Sequence, residues 1–186
     1  MNDDETTQPG FTVWLTGMSG AGKTTIALKL ADELERRGRR VDVLDGDEIR
    51  KVLSKGLGFS REDRDANVNR IAFVASLLVR HGAAVISGAI SPYADARDAA
   101  RARIGNFVEV YVQCSLDELI RRDTKGLYMR AHSGELKRFT GISDPYEAPS
   151  SPEVTVDTEH ENVDQCVAKV VAALEALGFV ATTTTA

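Results

Sequence analysis

The sequence predicts a three-layer α/β domain, with a parallel five-stranded sheet, helices on both faces and a mobile lid. Three observations predict it. Short apolar, β-branched runs alternate along the chain with segments of helical periodicity. A glycine-rich stretch, GMSGAGKTT at 17–25, joins the first such run to the first helical segment. From about Asp123 to Glu153 the periodicity lapses, and the segment TKGLYMRAHSGELKRFTGISDPYEAPSSPE, rich in Gly, Pro, Ser and basic residues, is longer than ordinary connections and reads as a lid.

Each element has its own local reason. FTVWLTG is an apolar run that ends at a glycine, and KTTIALKLADELERRG places Ile26, Leu30 and Leu34 at helical spacing, with Gly38 as the stop. RVDVLDGDEIR reads as a second strand, carried by Val41, Val43 and Leu44, that leads into a turn and a helix. REDRDANVNRIAFVASLLVRHG puts Asn67, Ile71, Val74, Ala75 and Leu78 on one face of a crossover helix. AAVISGAISPY and VEVYVQC repeat the strand pattern, and EVTVDT is a weaker fifth strand. The stripe Val163, Cys166, Val167, Val170, Leu174 and Leu177 is apolar at helical spacing. Strand and helix alternation of this kind makes a parallel sheet, which binds ligands at the carboxyl ends of its strands.

Composition narrows the class. With 186 residues, 42% hydrophobic and 27% charged, the chain suits one domain, expected over 10–178 between a flexible segment at 1–9 and a frayed tail at 179–186. No apolar run approaches the roughly 18 residues a membrane span needs. The acidic start, MNDDETTQPG, lacks the features of a secretory or transit signal, so the expected location is the cytoplasm. Cys114 and Cys166 lie far apart without metal-ligand spacing, which predicts two reduced, buried thiols. A net charge of −5 argues against nucleic acid as a partner but leaves room for a local basic pocket that takes small anions.

Gly17, Gly22, Lys23 and Thr24 form the G-x-x-x-x-G-K-[ST] phosphate loop, with a strand before it and a helix after it. Glycines let backbone N–H groups converge on phosphate oxygens, the helix N-terminus is positive, Lys23 reaches the terminal phosphates and the Thr24 hydroxyl suits Mg²⁺. Gly17, Ser19, Gly20, Ala21, Gly22, Lys23, Thr24 and Thr25 are therefore the candidate ATP site in a P-loop nucleoside triphosphate hydrolase/kinase fold. A guanine-reading Asn-Lys-x-Asp does not occur, which leaves small-molecule kinase as the leading class.

On the acceptor side, Asp45 and Asp47 flank a glycine at a strand's carboxyl end, where a metal ligand or a base for an attacking hydroxyl is needed. The same pair is open to a second reading, a turn in which Asp47 caps the following helix. Arg50, Arg64 and Asn67 either offer donors to an anionic substrate or are solvated surface groups. Phe59 and Phe139 stand in loops, where a ring either stacks on a planar ligand or packs on the nearest apolar surface.

The stretches GMSGAGKTT, LDGDEIR, GFSREDRDANVNR, ISPYADARDAAR and KGLYMRAHSGELKRFTGISDPYEAPSSPE, in this order and over about Gly10 to Leu177, resemble the adenylylsulfate kinase family. The resemblance implies transfer of the γ-phosphate of Mg-ATP to the 3′-hydroxyl of adenosine 5′-phosphosulfate, giving 3′-phosphoadenosine 5′-phosphosulfate and ADP. It implies a sulfonucleotide site of Arg50, Phe59, Arg64, Asn67, Ile90, Lys125 and Phe139, with Asp47, Ser91, Gly126 and Leu127 beside it and the two rings sandwiching adenine. It also implies Arg122 near the ATP base, a homodimer and a functional association with an ATP sulfurylase. On the residues themselves, Asp47 reads as base or hydroxyl orienter and Thr24 and Asp45 as the Mg²⁺ side, and the lid is expected to close over both nucleotides. Ser91 carries a phosphate in some members; here it is either such a site or a pocket wall, and direct in-line transfer has no need of a phosphoenzyme. Lys125, Lys137 and Arg138 suit an anionic cargo, whereas Arg130 reads as a solubilising charge. Ala66 and Asn69 replace an acidic residue and an arginine common in the family, while Arg64, Asn67 and Arg70 match it. His81, His132 and His160 match no catalytic role. The rival readings are a P-loop kinase for another small acceptor and a catalytically weak regulatory module that binds sulfonucleotides.

Overall fold

The computed structural model describes residues 8–123 and 125–182. In chain order the elements are β1 (Phe11–Thr16), α1 (Lys23–Arg36), β2 (Val41–Asp45), α2 (Gly46–Val52), α3 (Arg61–Arg80), β3 (Ala84–Gly88), α4 (Ala94–Ile104), β4 (Phe107–Gln113), α5 (Leu116–Arg122), α6 (Leu127–His132), β5 (Val154–Asp157) and α7 (Val163–Ala176). The strands form one sheet in the order β2-β3-β1-β4-β5, and every pairing is parallel.

Central β1 shows why the sheet is covered twice. Its residues are all buried, and side chains alternate between the faces. Phe11, Val13 and Leu15 join Ile26, Leu30 and Leu34 of α1 and Val170 and Leu174 of α7. Trp14 faces the other way, with Ile71 and Ala75 of α3 and Ala100 of α4. Each fully buried Leu, Ile or Phe contributes about 1.5–3 kcal/mol. Both cysteines are free and sit in the first of these cores.

The crossover helix α3 is rotated from the expected stripe: Val68, Ala72 and Val79 are buried, while Val74 and Leu78 are half-exposed. It packs on α4 as well as on β3, so its covered face must serve two neighbours. The domain also reaches further than expected. Phe179 stacks on Phe11 with ring centroids 5.0 Å apart, and Val180 is buried. The buried Arg39 donates to Gln8 Oε1 at 2.6 Å and to the Pro9 carbonyl at 2.7 Å. The rest of the two predicted terminal segments, 1–7 and 183–186, lies outside the described residues. Among the described residues no helix is long and apolar enough to cross a membrane.

The segment from Asp123 to Glu153 contains the short helix α6, which apolar periodicity does not reveal. Its first turn is held by Asp123, whose carboxylate accepts from Tyr128 N at 3.1 Å and Met129 N at 3.0 Å. At the other end of the chain α7 begins with a capping box: Asn162 Oδ1 accepts from Gln165 N at 3.0 Å, and Gln165 Oε1 from Asn162 N at 2.9 Å. Asn162→Ala is expected to cost about 1 kcal/mol and to lower the thermal midpoint by roughly 2–4 °C. An unchanged midpoint in a circular-dichroism melt would show that α7 is held by packing alone.

Candidate active site

The chain leaves β1 toward β2 on one side of the sheet and leaves β3 toward β4 on the other, so the connections diverge at the adjacent carboxyl ends of β1 and β3. Diverging connections open a crevice there. A cleft of 440 Å³ occupies it, walled by the phosphate loop, the β2–α2 turn, the start of α3, the turn after β3, Arg122 and Lys125.

The loop wall comes first. Gly20 and Gly22 have φ of 77° and 95°, left-handed values that favour glycine, and Gly22 stands at the N-cap of α1 without a side chain to cap it. The first-turn N–H groups are left for an anion. Lys23 Nζ donates to the carbonyls of Gly17 and Met18, both at 2.8 Å. Burial pulls its pKa down to about 8, partly offset by the charge of Asp47. Ser19, Thr24 and Thr25 line the cleft, and Gly17 and Ala21 are not among its lining residues.

The two aspartates have separate jobs, and the expected cap is corrected. Asp45, not Asp47, caps α2: its Oδ1 accepts from Asp47 N at 2.9 Å and Glu48 N at 3.2 Å. Its Oδ2 accepts from Thr24 Oγ1 at 2.8 Å, which brings two hard oxygen donors together beside the loop. Asp47 is released from capping and accepts from Lys125 Nζ at 2.6 Å. That hydrogen-bonded ammonium holds the Asp47 carboxyl below the usual range, against a smaller effect of burial.

Across the cleft, Phe59 is 55% exposed, and the guanidinium carbons of Arg50 and Arg64 lie 4.6 and 5.7 Å from its ring centroid. Arg64 is buried and committed to protein: Nε donates to the Phe59 carbonyl at 3.0 Å, Nη1 to Thr140 Oγ1 at 2.7 Å and Nη2 to the Arg138 carbonyl at 2.5 Å. It ties the Phe59 loop to residues 138–144 of the strap, the segment 125–153 that holds α6 and is otherwise irregular. Asn67 Oδ1 is buried without a hydrogen-bond partner among the described residues, on a residue that lines the cleft. Asn69 is exposed on α3 and not among the lining residues.

The floor is the turn after β3. Thr16 Oγ1 donates to the Ile90 carbonyl at 2.7 Å, and Trp14 Nε1 to Ser91 Oγ at 3.1 Å. The strap also meets the phosphate loop: Tyr128 Oη donates to the Ser19 carbonyl at 2.8 Å, and a Cβ on Gly141 would fall 2.6 Å from Met18 Sδ. Phe139 packs edge-on against Tyr128, centroids 5.0 Å apart, and neither it nor Gly126 nor Leu127 lines the cleft. Lys125 is the one lid cation that does so among the described residues; Arg130 pairs with Glu135 at 2.7 Å. Arg122 is fixed by Glu118 at 2.7 Å and by donation to the Thr158 carbonyl at 2.6 Å. Trp14, Thr16, Tyr128 and Tyr146, whose hydroxyl lies 3.0 Å from Thr16 Oγ1, are not among the residues that the sequence singles out. For Trp14 and Thr16 the signal was present, since strand alternation turns both away from the Phe11 face.

A phosphate loop at the switch point of a parallel sheet, facing an acceptor cavity with its own carboxylate and cations, defines a P-loop small-molecule kinase. The chain belongs to the adenylylsulphate kinase family, whose model matches residues 9–157. It is 54% identical over 171 residues to the adenylyl-sulfate kinase of Picosynechococcus sp. (strain ATCC 27264 / PCC 7002 / PR-6), covering 92% of this chain and 97% of that one. It is 57% identical over 171 residues to a probable bifunctional SAT/APS kinase of Sorangium cellulosum (strain So ce56), covering 92% of this chain but 29% of that longer protein. The Mycobacterium tuberculosis APS kinase CysC, solved in complex with AMPPNP and APS, superposes with a TM-score of 0.87 at 40% identity, covering 90% of this chain and 98% of that one.

Lys23 gives a pH dependence with a definite sign. Its pKa, pulled down to about 8 by burial, is where the free protein loses the charge held against the phosphate loop. The pH profile of kcat/KM for the nucleotide reports the free enzyme and is expected to fall above about pH 8. The profile of kcat should fall at higher pH, because bound phosphate restores the proton. A kcat/KM that stays level to pH 10 would exclude Lys23 as the group.

Proposed function

We infer that this chain transfers the γ-phosphate of ATP to the 3′-hydroxyl of adenosine 5′-phosphosulfate, yielding 3′-phosphoadenosine 5′-phosphosulfate and ADP. One observation carries the reading beyond family membership: a single cleft holds the phosphate loop and, opposite it, a carboxylate paired with a lid cation beside an exposed aromatic wall. Donor phosphates sit against the uncapped end of α1 and Lys23, and the acceptor adenine against Phe59. Asn67 offers its unpaired carbonyl oxygen to the acceptor.

Phosphoryl transfer asks the protein for positioning and charge neutralisation rather than covalent chemistry. Asp47, kept ionised by Lys125, orients the attacking hydroxyl and receives its proton. Lys125 can then turn to the sulfonucleotide. Thr24 and Asp45 form the hard-oxygen pair that would hold Mg²⁺, which when bound neutralises phosphate charge. Ser91 acts as a pocket wall: it is 3% exposed, and its hydroxyl is occupied by Trp14. The strap over the acceptor side keeps water from competing for the phosphate. A homodimer belongs to the same reading; sedimentation equilibrium should return twice the chain mass.

The deciding assay supplies Mg-ATP with adenosine 5′-phosphosulfate, or with a sugar acid or shikimate, and follows ADP and the site of the new phosphate. Turnover is expected with the sulfonucleotide alone. Tight sulfonucleotide binding without turnover would instead make the chain a binding module. Asp47→Asn should lower kcat by about 10²–10⁴-fold with little change in KM; a raised KM at normal kcat would make Asp47 a binding group. Phe59→Ala should raise the acceptor KM and leave that of ATP unchanged, and equal effects on both would place the ring elsewhere.

A further inference from the structure

Below the floor of the cleft lies a polar side chain that faces neither nucleotide site. Arg97, on α4, is 3% exposed and all of its nitrogens are engaged. Nε donates to Glu109 Oε1 of β4 at 2.7 Å, Nη1 to the Ser91 carbonyl at 2.8 Å and Nη2 to the Glu147 carbonyl at 2.8 Å. The two carbonyls belong to different walls of the acceptor half. Ser91 is in the floor turn, with φ of 46°, a left-handed conformation that a serine keeps only where its surroundings hold it. Glu147 is in the strap, which it joins to the same turn once more and to the start of α4: its N–H donates to the Pro92 carbonyl at 2.8 Å, and its Oε2 accepts from Ala94 N, the first residue of α4, at 2.7 Å. One helical turn along α4, Arg101 grips Glu153 at the strap's end through two bonds of 2.7 and 2.9 Å.

A buried arginine–glutamate pair is by itself weak support for stability, because desolvation offsets most of the attraction. An arginine needed only to neutralise Glu109 has no use for two further carbonyls in irregular segments. We propose that Arg97 is a positioning residue of the acceptor half: it fixes the floor turn and the strap at one separation and so sets acceptor affinity without touching either substrate. The role rests on the sulfonucleotide kinase reading above. The phosphate loop is carried by β1 and α1 and touches the strap at Tyr128 and Gly141, not at Glu147, so its affinity should depend far less on this clamp.

The test compares wild type with Arg97→Met, Arg97→Lys and Glu147→Ala, measuring both KM values, kcat and the thermal midpoint. Arg97→Met is expected to raise the KM for adenosine 5′-phosphosulfate at least tenfold while that for ATP stays within twofold. Arg97→Lys keeps a charge beside Glu109 but cannot reach all three acceptors, so its acceptor KM should rise with a smaller loss of thermal midpoint. Glu147→Ala leaves the buried pair intact, frees the strap at Ala94 and should also raise the acceptor KM. Folded variants with a lower midpoint and both KM values unchanged, or with both raised together, would overturn the proposal and leave Arg97 a stabilising residue only. Should Arg97→Met fail to fold, the other two variants decide by the same criteria. A wild type that does not turn over the sulfonucleotide would instead refute the functional reading and take this role with it.

Discussion

The structure is organised around a helix end that the protein does not cap. In α2, α3, α5 and α7 the first turn is closed by Asp45, Ser60, Ser115 and Asn162, and in α4 and α6 by carboxylates from Glu147 and Asp123. At α1 the N-cap is Gly22, and no described side chain accepts from the first turn. Unsatisfied N–H groups are costly when buried and attractive to an anion when open to a cleft. The central strand β1, buried on both faces, holds that open end where the connections of the sheet diverge. A phosphate bound there would complete the helix, and binding and local folding would then draw on the same donors.

Charge around this point alternates in sign and differs in burial. Lys23 is buried and poorly solvated, whereas Asp47 and Lys125 are exposed, with side-chain exposures of 69% and 58%. An exposed pair at 2.6 Å is screened by solvent and salt, so it adds little to stability and can exchange partners when an anion arrives. The buried cations behave oppositely. Arg64 and Arg97 both donate to backbone carbonyls in segments without regular structure. Irregular backbone cannot satisfy itself as helices and strands do, and a planar guanidinium with five donors suits several carbonyls at once. The floor turn and the strap are therefore irregular chain held by arginine, beside a phosphate loop set between β1 and α1.

The alternation of strands and helices, the phosphate loop and the acidic turn after β2 were legible in the chain because each rests on contacts within a few residues: side-chain period, glycine placement, a turn. The five strands, the stripe of α1 and that of α7 as far as Leu174 follow from those signals, whereas Leu177 lies past the end of α7 and is exposed. The aspartate roles did not, since both residues suit a cap and a cleft equally well. Only the position of Thr24 across from Asp45, and of Lys125 across from Asp47, separates them. Arg64 read either as a donor to an anionic substrate or as a solvated surface group; it lines the cleft, and nothing local shows Thr140 and Arg138 arriving beside it from over seventy residues away. Phe139 stood in a loop without a visible partner, and Tyr128 supplies one. What the chain determined by itself is the kind of layers and the phosphate cradle, where periodicity and backbone freedom are local properties. What folding alone decided is which charge meets which, because the partners come from segments distant in sequence and meet only when the strap crosses the carboxyl ends of the strands.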